Sequence, residues 1–221
     1  KMLRKQPIRE HKKDEFNPYE DNCGTSVAIC GEGCVVVASD TRMCRDYMIL
    51  TRSDSKIFPL TSTCIMTASG MRADIKELAD ILKKEIKMYK FENGKEMPIE
   101  SVARLLSNTL YSHRFFPYYS FTLLAGLTSK GESVVYNYDA VGSYQPFKYS
   151  CSGSGEQVSA PILDALLKER EEPLGESEAV NIARDVLTSA CERDIHTGDN
   201  AEIYILTKDG LRKETHFMAS D

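Results

Sequence analysis

The stretch "TSVAICGEGCVVVASD", residues 25–40, decides the fold that the sequence predicts. Two apolar runs rich in β-branched residues, 25–29 and 35–39, flank the turn Gly31-Glu32-Gly33. Such side chains pack well on a pleated sheet, and glycine-containing turns join antiparallel strands. We therefore predict a β-hairpin, with the dipeptide Gly24-Thr25 at its amino end.

Groups of strands and pairs of helices alternate along the rest of the chain. Apolar residues at helical spacing predict one helix that ends at Asn93-Gly94 and a second that begins after Pro98. A second helix pair is predicted over residues 157–168 and 178–193. Further strands are predicted near residues 47–51, 56–60, 64–69, 120–128, 133–139, 147–152, 202–208 and 213–218.

This order of elements predicts an α+β protein. Helix pairs that separate groups of strands indicate a four-layer α-β-β-α sandwich, in which two antiparallel sheets lie between helix pairs. No linker rich in proline, glycine or serine divides the chain, so residues 23–221 are predicted to form a single domain. Residues 1–22, basic and then acidic, are predicted to be an N-terminal extension that resembles an uncleaved propeptide.

Composition excludes several classes of function. The 221 residues carry a net charge of -5, which argues against nucleic acid or an anionic membrane as the main partner. The seven cysteines are odd in number and lack the paired spacing of metal ligands, so we predict free thiols and neither metal nor cofactor. The strongly polar start and the lack of a long apolar run favour an intracellular protein.

The dipeptide Gly24-Thr25 raises the question of a threonine nucleophile, because self-processing threonine proteases cut themselves at such a junction. In an N-terminal nucleophile the hydroxyl attacks a carbonyl and the residue's own α-amine serves as base. A nearby lysine lowers the pKa of the nucleophile, and a carboxylate holds that lysine.

Several stretches in order, "GTSVAI", "VVVASDTR", "RSDSKIF", "SCSGSG" and "CERDIHTGD", resemble the beta subunits of the proteasome, which are N-terminal-nucleophile hydrolases. The resemblance runs from about residue 23 to the end of the chain. It implies the fold of that class, with a catalytic threonine, an aspartate sixteen residues after it and a lysine sixteen residues after the aspartate.

Counting along the sequence assigns the nucleophile position to a glycine. Asp40 and Lys56 stand sixteen residues apart, and counting back sixteen from Asp40 reaches Gly24 rather than Thr25. Because side chains alternate faces along a strand, Thr25 and Cys23 are each one residue out of register. Gly24 has no hydroxyl, and the chain that precedes it removes the free amine.

The predicted site is therefore vestigial, with no catalytic residue. Loss of such a nucleophile lowers the rate on the order of a millionfold. The resemblance implies that the remaining site residues are scaffold, namely Asp40, Lys56, Ser154, Asp194 and Thr197. In the alternative interpretation a bulge restores the register, and the chain is an active threonine endopeptidase with Thr25 as its nucleophile after autolysis.

The stretches "RFFPYY" and "VGSYQ" narrow the resemblance to a non-catalytic member of the family. This implies a structural place in the inner beta ring of the 20S core particle, which degrades proteins in an ATP- and ubiquitin-dependent pathway in the cytoplasm and nucleus. The implied partners are the other beta and alpha subunits of a stacked-ring complex of 28 subunits.

The aromatic stretch around Pro117 offers candidate interface residues, which are Phe115, Phe116, Tyr118 and Tyr119. Aromatic residues are enriched at interface hot spots. Two arrangements remain open and are compatible: Phe115 and Phe116 close a helix onto the core, and Pro117 turns the two tyrosines outward.

Overall fold

The computed structural model describes residues 17–219, and residues 1–16, most of the predicted extension, lie outside the described part. The strands are Thr25–Gly31 (β1), Cys34–Asp40 (β2), Met43–Arg45 (β3), Met48–Thr51 (β4), Ile57–Thr61 (β5), Cys64–Gly70 (β6), Ser120–Leu127 (β7), Ser133–Tyr138 (β8), Tyr144–Phe147 (β9), Tyr149–Gly153 (β10), Asp199–Thr207 (β11) and Gly210–Ala219 (β12). The helices are Arg72–Asn93 (α1), Ile99–Ser112 (α2), Glu156–Leu167 (α3) and Glu176–Cys191 (α4).

Two five-stranded antiparallel sheets form the middle of the molecule. The first has the order β10-β1-β2-β11-β12 and the second the order β5-β6-β7-β8-β9, while β3 and β4 form a small separate ribbon. Helices α3 and α4 pack on the first sheet, and α1 and α2 pack on the second. The predicted α-β-β-α sandwich is confirmed.

Apolar side chains fill all three spaces between the four layers. Alternation along β1 sends Val27 and Ile29 toward α3 and α4, whereas Ala28 points to the second sheet. The space between the sheets is closed by residues from both of them, among them Val35, Val37, Ile65, Leu123, Ala125 and Val135. This alternation fixes which way each residue at the amino end of β1 points.

Helix α1 buries the apolar face that the sequence predicts, and it ends directly before Gly94. Its buried positions are Ile75, Leu78, Ala79, Leu82 and Ile86. Gly94 follows the last helical residue with φ of 65°, and its N–H donates to Lys90 O at 3.0 Å. A left-handed residue at this place satisfies a carbonyl that the helix end leaves open.

Two short strands were not predicted. They are β3, with three residues, and β9, which contains Pro146. Neither is long enough to show alternation, and proline lacks the N–H that a strand donates. β9 nevertheless forms because it lies at the edge of its sheet, where only one neighbour has to be paired.

Candidate functional site

Position 24 lies beside the predicted acid and base. Gly24 directly precedes β1 and has φ of +94°. A Cβ atom built on it would overlap Cε of Lys56 and lie 2.7 Å from Nζ of Lys56 and 2.8 Å from Oδ1 of Asp40. The structure therefore brings Gly24, Asp40 and Lys56 together, and at position 24 there is neither a hydroxyl nor room for one without movement of Lys56.

The Lys56 ammonium donates hydrogen bonds to three neighbouring oxygens. Its Nζ donates to Asp40 Oδ1 at 3.0 Å, to Asp40 O at 3.1 Å and to Arg42 O at 2.6 Å. The lysine side chain is 5% exposed and the aspartate is fully buried. An ammonium with three partners is satisfied without a nucleophile.

The Asp40 carboxylate is surrounded by donors. Besides Lys56, it accepts hydrogen bonds from the backbone N–H groups of Thr25 at 2.8 Å, Arg42 at 3.2 Å and Gly198 at 3.3 Å. Burial raises the pKa of this carboxyl, while the Lys56 ammonium and the N–H groups of Thr25 and Gly198 act to lower it. Asp40 thus ties β1, β2 and the loop before β11 to one buried group.

The hydroxyl of Thr25 points to the helix side of the sheet, away from Lys56. Its Oγ1 accepts the N–H of Gly155 at 2.9 Å and lies 2.6 Å from Thr197 Oγ1. Thr197 Oγ1 donates to Asp194 Oδ2 at 2.6 Å, so the proton between the two threonines comes from Thr25. Thr25 is completely buried, and its hydroxyl is used both as donor and as acceptor.

The bulge that would bring Thr25 into register has no counterpart in β1. This strand pairs with β2 and β10 in continuous register, from Thr25 opposite Gly153 to Gly31 opposite Cys34. Alternation then separates the two positions, because the side chain of Thr25 and the vacant side of Gly24 face different layers.

The other predicted site residues form one hydrogen-bonded cluster around Gly24. Ser154 Oγ donates to Asp194 Oδ2 at 2.6 Å, and Ser154 N donates to Gly24 O at 3.1 Å. Asp194 in turn accepts the hydroxyl of Thr197. All five residues of the predicted vestigial site therefore lie around Gly24 and Thr25.

Sequence reasoning missed a buried ion pair that holds the loop carrying Asp194 and Thr197. Arg42 Nε contacts Asp199 Oδ2 at 2.9 Å, and Arg42 Nη1 donates to Ile195 O at 2.9 Å. Arg52 also pairs with Asp199. Burial acts to raise the pKa of Asp199, but bonds from both arginines hold it below its usual value. The sequence signal for this ion pair was a charged residue next to a buried strand, in "SDTR" and in "TGDN".

Cys23, the other neighbour of Gly24, is a poor nucleophile. Burial and the nearby Asp21 carboxylate raise the pKa of its thiol to about 12, and only the thiolate attacks. It lines an open cavity of about 250 Å³ together with Asp21, Ser69, Gly70, Phe121, Gly153, Ser154 and Glu156.

The described residues contain neither a disulfide nor a cluster of metal ligands. All seven cysteines lie within 17–219 as free thiols, four of them buried. In this part of the chain no three His, Cys, Asp or Glu side chains are grouped so that they could hold a metal ion. The helices of the same residues include none that is both long and apolar enough to cross a bilayer.

The structure places the four candidate interface residues as two exposed phenylalanines and two partly buried tyrosines. Phe115 is 94% exposed and Phe116 is 65% exposed, so the prediction that they close α2 onto the core is wrong. Tyr118 and Tyr119 are only partly exposed. Tyr118 packs against the core beneath α1 and α2, and Tyr119 contacts the rings of Tyr19 and Phe121. The tyrosines are thus only partly turned outward, and their role at an interface stays a prediction.

Comparison with known proteins gives one consistent result. A family model described as "Proteasome subunit" matches residues 20–206. A protein named "Proteasome subunit beta type-1" from Petunia hybrida is 44% identical over 93% of this chain and 97% of its own length. The rice protein of the same name is 46% identical over 89% of this chain and 93% of its own.

The yeast relative carries a different type number. "Proteasome subunit beta type-6" from Saccharomyces cerevisiae is 40% identical over 94% of this chain and 92% of its own length. The similarity to all three relatives thus extends over most of both chains.

Proposed function

Because the chain belongs to the proteasome subunit family, as a beta subunit of the kind named type-1 or, in yeast, type-6, we propose that it is a non-catalytic structural subunit of the 20S core particle. In this role it contributes to the inner beta ring and to the wall of the degradation chamber. Proteolysis by threonine nucleophiles is left to sister subunits.

The observation that carries the proposal is the occupant of the nucleophile position. Gly24 lies against Lys56 and Asp40 with no side chain to activate. Thr25, which follows Gly24 in the chain, is buried and donates its proton toward Thr197. Neither residue joins an accessible hydroxyl to a base, which nucleophilic catalysis requires.

The wider role follows from membership of the complex. We infer that the partners are the other beta and alpha subunits of a stacked-ring particle with 28 chains, which acts in ATP- and ubiquitin-dependent degradation in the cytoplasm and nucleus. Residues 1–22 are proposed to be a propeptide-like arm that no cleavage at Gly24 removes, and residues 23–221 a single domain. Residues 17–22 of that arm already contact this chain, through Tyr19, Glu20 and Asn22.

Labelling with an electrophilic probe for N-terminal threonine tests the inactivity. Purified particles that contain this chain are treated with the probe, and each subunit is then weighed as an intact protein. We expect the active sister subunits to gain the mass of the probe, which serves as the internal control. This chain should stay unlabelled and keep residues that precede Gly24.

The opposite result would support the endopeptidase alternative. A form of this chain that begins at Thr25 and carries the probe would overturn the proposal, because it requires both autolysis and an exposed hydroxyl.

A further inference from the structure

The pair Asn93-Gly94, at the end of α1, is the one place in the sequence where an asparagine precedes a glycine. Asparagine is chemically labile, because the backbone nitrogen of the next residue can attack its side-chain carbonyl carbon. Glycine favours this attack, since it has no Cβ in the way and its backbone rotates freely. The other asparagines all precede bulkier residues and are Asn17, Asn22, Asn108, Asn137, Asn181 and Asn200.

The pair is accessible to water, which deamidation consumes. Residues 91–95 are all exposed. A Cβ added to Gly94 would meet no atom within 4 Å among the residues that the structure describes. A ring formed between Asn93 and Gly94 therefore has room at the surface.

The folded end of α1 holds both of the groups that would react. Gly94 N–H donates to Lys90 O at 3.0 Å, and Asn93 Nδ2 donates to Tyr89 O at 2.9 Å. The nitrogen has to lose its proton and the side-chain carbon has to turn toward it, so both hydrogen bonds must open first. The reaction therefore needs the last turn of α1 to unfold locally.

Glu96 restrains the connection that follows this turn. Its Oε1 accepts Lys90 Nζ at 2.9 Å, and its Oε2 accepts the N–H of Ser62 at 3.2 Å and also the Ser62 hydroxyl. Hydrogen bonds from Ser62 and Lys90 lower the pKa of the Glu96 carboxyl. Met97, the next residue, is 7% exposed and packs in the core with α1 and α2. These contacts oppose opening of the last turn.

We propose that Asn93 is a spontaneous deamidation site whose rate is set by opening of the last turn of α1. The deprotonated backbone nitrogen of Gly94 bonds to Cγ of Asn93, and Nδ2 takes up a proton and leaves as ammonia. Water then opens the succinimide. Cleavage of the bond from nitrogen to Cγ gives aspartate, and cleavage of the bond from nitrogen to the backbone carbonyl carbon gives isoaspartate. Water is consumed, ammonia is released and nothing is oxidised.

Either product weakens the turn in which it forms. Both lose the hydrogen bond from Nδ2 to Tyr89 O and add a negative charge at the end of the helix where the dipole favours cations. Isoaspartate also lengthens the backbone by one methylene between position 93 and Gly94. Closing of the turn does not restore the amide, because ammonia has left. The modification thus records that the turn has opened.

Ageing of purified particles that contain this chain tests the site. The particles and a synthetic peptide of residues 88–97 are incubated at mildly alkaline pH. Peptide mass spectrometry follows deamidation, and an isoaspartyl methyltransferase with a labelled methyl donor detects isoaspartate. We expect Asn93 in the particle to react about tenfold slower than in the peptide, or slower still, since only the open turn reacts.

Asn108 is the internal control, because it is exposed in α2 but precedes Thr109. We expect Asn93 to react faster than Asn108. Deamidation of Asn93 no faster than that of Asn108 would overturn the site, and deamidation as fast as in the free peptide would overturn the restraint by α1. Neither measurement involves a threonine nucleophile, so both are separate from the probe that tests inactivity.

Glu96→Ala tests the dependence on opening. The substitution removes the bonds to Lys90 and Ser62, and we expect Asn93 in the particle to react about twofold to fivefold faster. The peptide with the same substitution corrects for any change in the chemistry itself. Glu85→Ala is the matched control, since Glu85 is exposed in the same helix about two turns before its end. An unchanged rate in Glu96→Ala, or an equal rise in Glu85→Ala, would overturn the proposal.

Discussion

A shift of one residue at the amino end of β1 separates the position beside Lys56 and Asp40 from one that faces the opposite layer. Gly24 faces Lys56 and Asp40, whereas Thr25 faces Gly155 and Thr197 in the helix layer. Successive residues of a strand point to opposite faces. The hydroxyl next to position 24 is thus directed away from the acid and base, and rotation about χ1 cannot bring it to them.

The buried pair of Lys56 and Asp40 remains useful to the fold without any reaction. We expect Lys56→Met to lower the free energy of unfolding by about 3–5 kcal/mol, because it leaves the Asp40 carboxylate buried without its counter-charge. Denaturant unfolding of the full chain, followed by circular dichroism, measures the change. The double variant with Asp40→Asn should recover part of the loss.

Lys90→Met is the control for that substitution. Lys90 pairs with Glu96 at 2.9 Å, but its side chain is 60% exposed, so the same change should cost about 0–1 kcal/mol. A loss for Lys56→Met no larger than for Lys90→Met would mean that the buried pair does not stabilise the fold.

At the scale of elements, local signals found the helices and most of the strands and missed two short strands. The hairpin of β1 and β2 and the end of α1 at Gly94 follow from alternation and from glycine chemistry. β3 and β9 lack any local signal, because they exist only through their pairing with β4 and β8. Asn22 capped α1 from another part of the chain, which no pattern around residue 72 could indicate.

Two glycines that flank helices allow the effect of backbone conformation on stability to be tested separately from side-chain contacts. At both Gly94 and Gly175 an added Cβ would meet no atom within 4 Å, but φ is 65° at Gly94 and -67° at Gly175. We expect Gly94→Ala to destabilise the chain by about 1 kcal/mol, since alanine is strained in the left-handed region.

Gly175→Ala is the control, because its backbone suits any residue, and we expect a change within about 0.5 kcal/mol. Both values come from denaturant unfolding of the full chain. Equal changes in the two variants would contradict the conformational explanation.

At the scale of the molecule, we predict that the exposed phenylalanines after α2 lie where this chain contacts other subunits. Phe115 and Phe116 follow α2 and are mostly exposed, although the ring of Phe116 lies 5.6 Å from that of Tyr19, while Tyr118 and Tyr119 are partly buried against their own chain. Truncation of the tyrosines would therefore disturb the fold as well as any interface. The two phenylalanines are the better test of assembly.

We expect the double variant Phe115→Ala and Phe116→Ala to reduce incorporation of the chain into particles, with little change in its own unfolding. Large apolar side chains that are exposed in the free chain lose contact with water when a partner covers them. Native mass spectrometry of particles assembled with the variant measures incorporation.

Phe91→Ala is the matched control for the aromatic patch. Phe91, near the end of α1, is 92% exposed, which is close to the value for Phe115. Incorporation of the double variant at the level of wild type would remove Phe115 and Phe116 from the interface. A loss as large for Phe91→Ala would show that truncation of any exposed phenylalanine acts in the same way.

By itself, the sequence determined the class of fold, the order of the elements and the spacing of Asp40 and Lys56, because alternation and helical periodicity are local properties of a chain. Only the tertiary structure decided where the hydroxyl of Thr25 donates, what anchors Asn22 and which aromatic residues stay exposed. Thr25 and Thr197 are 172 residues apart, and Arg42 and Asp199 are 157 apart. Such partners meet only when sheets and helices pack, and a local pattern does not specify which of many buried groups will be neighbours.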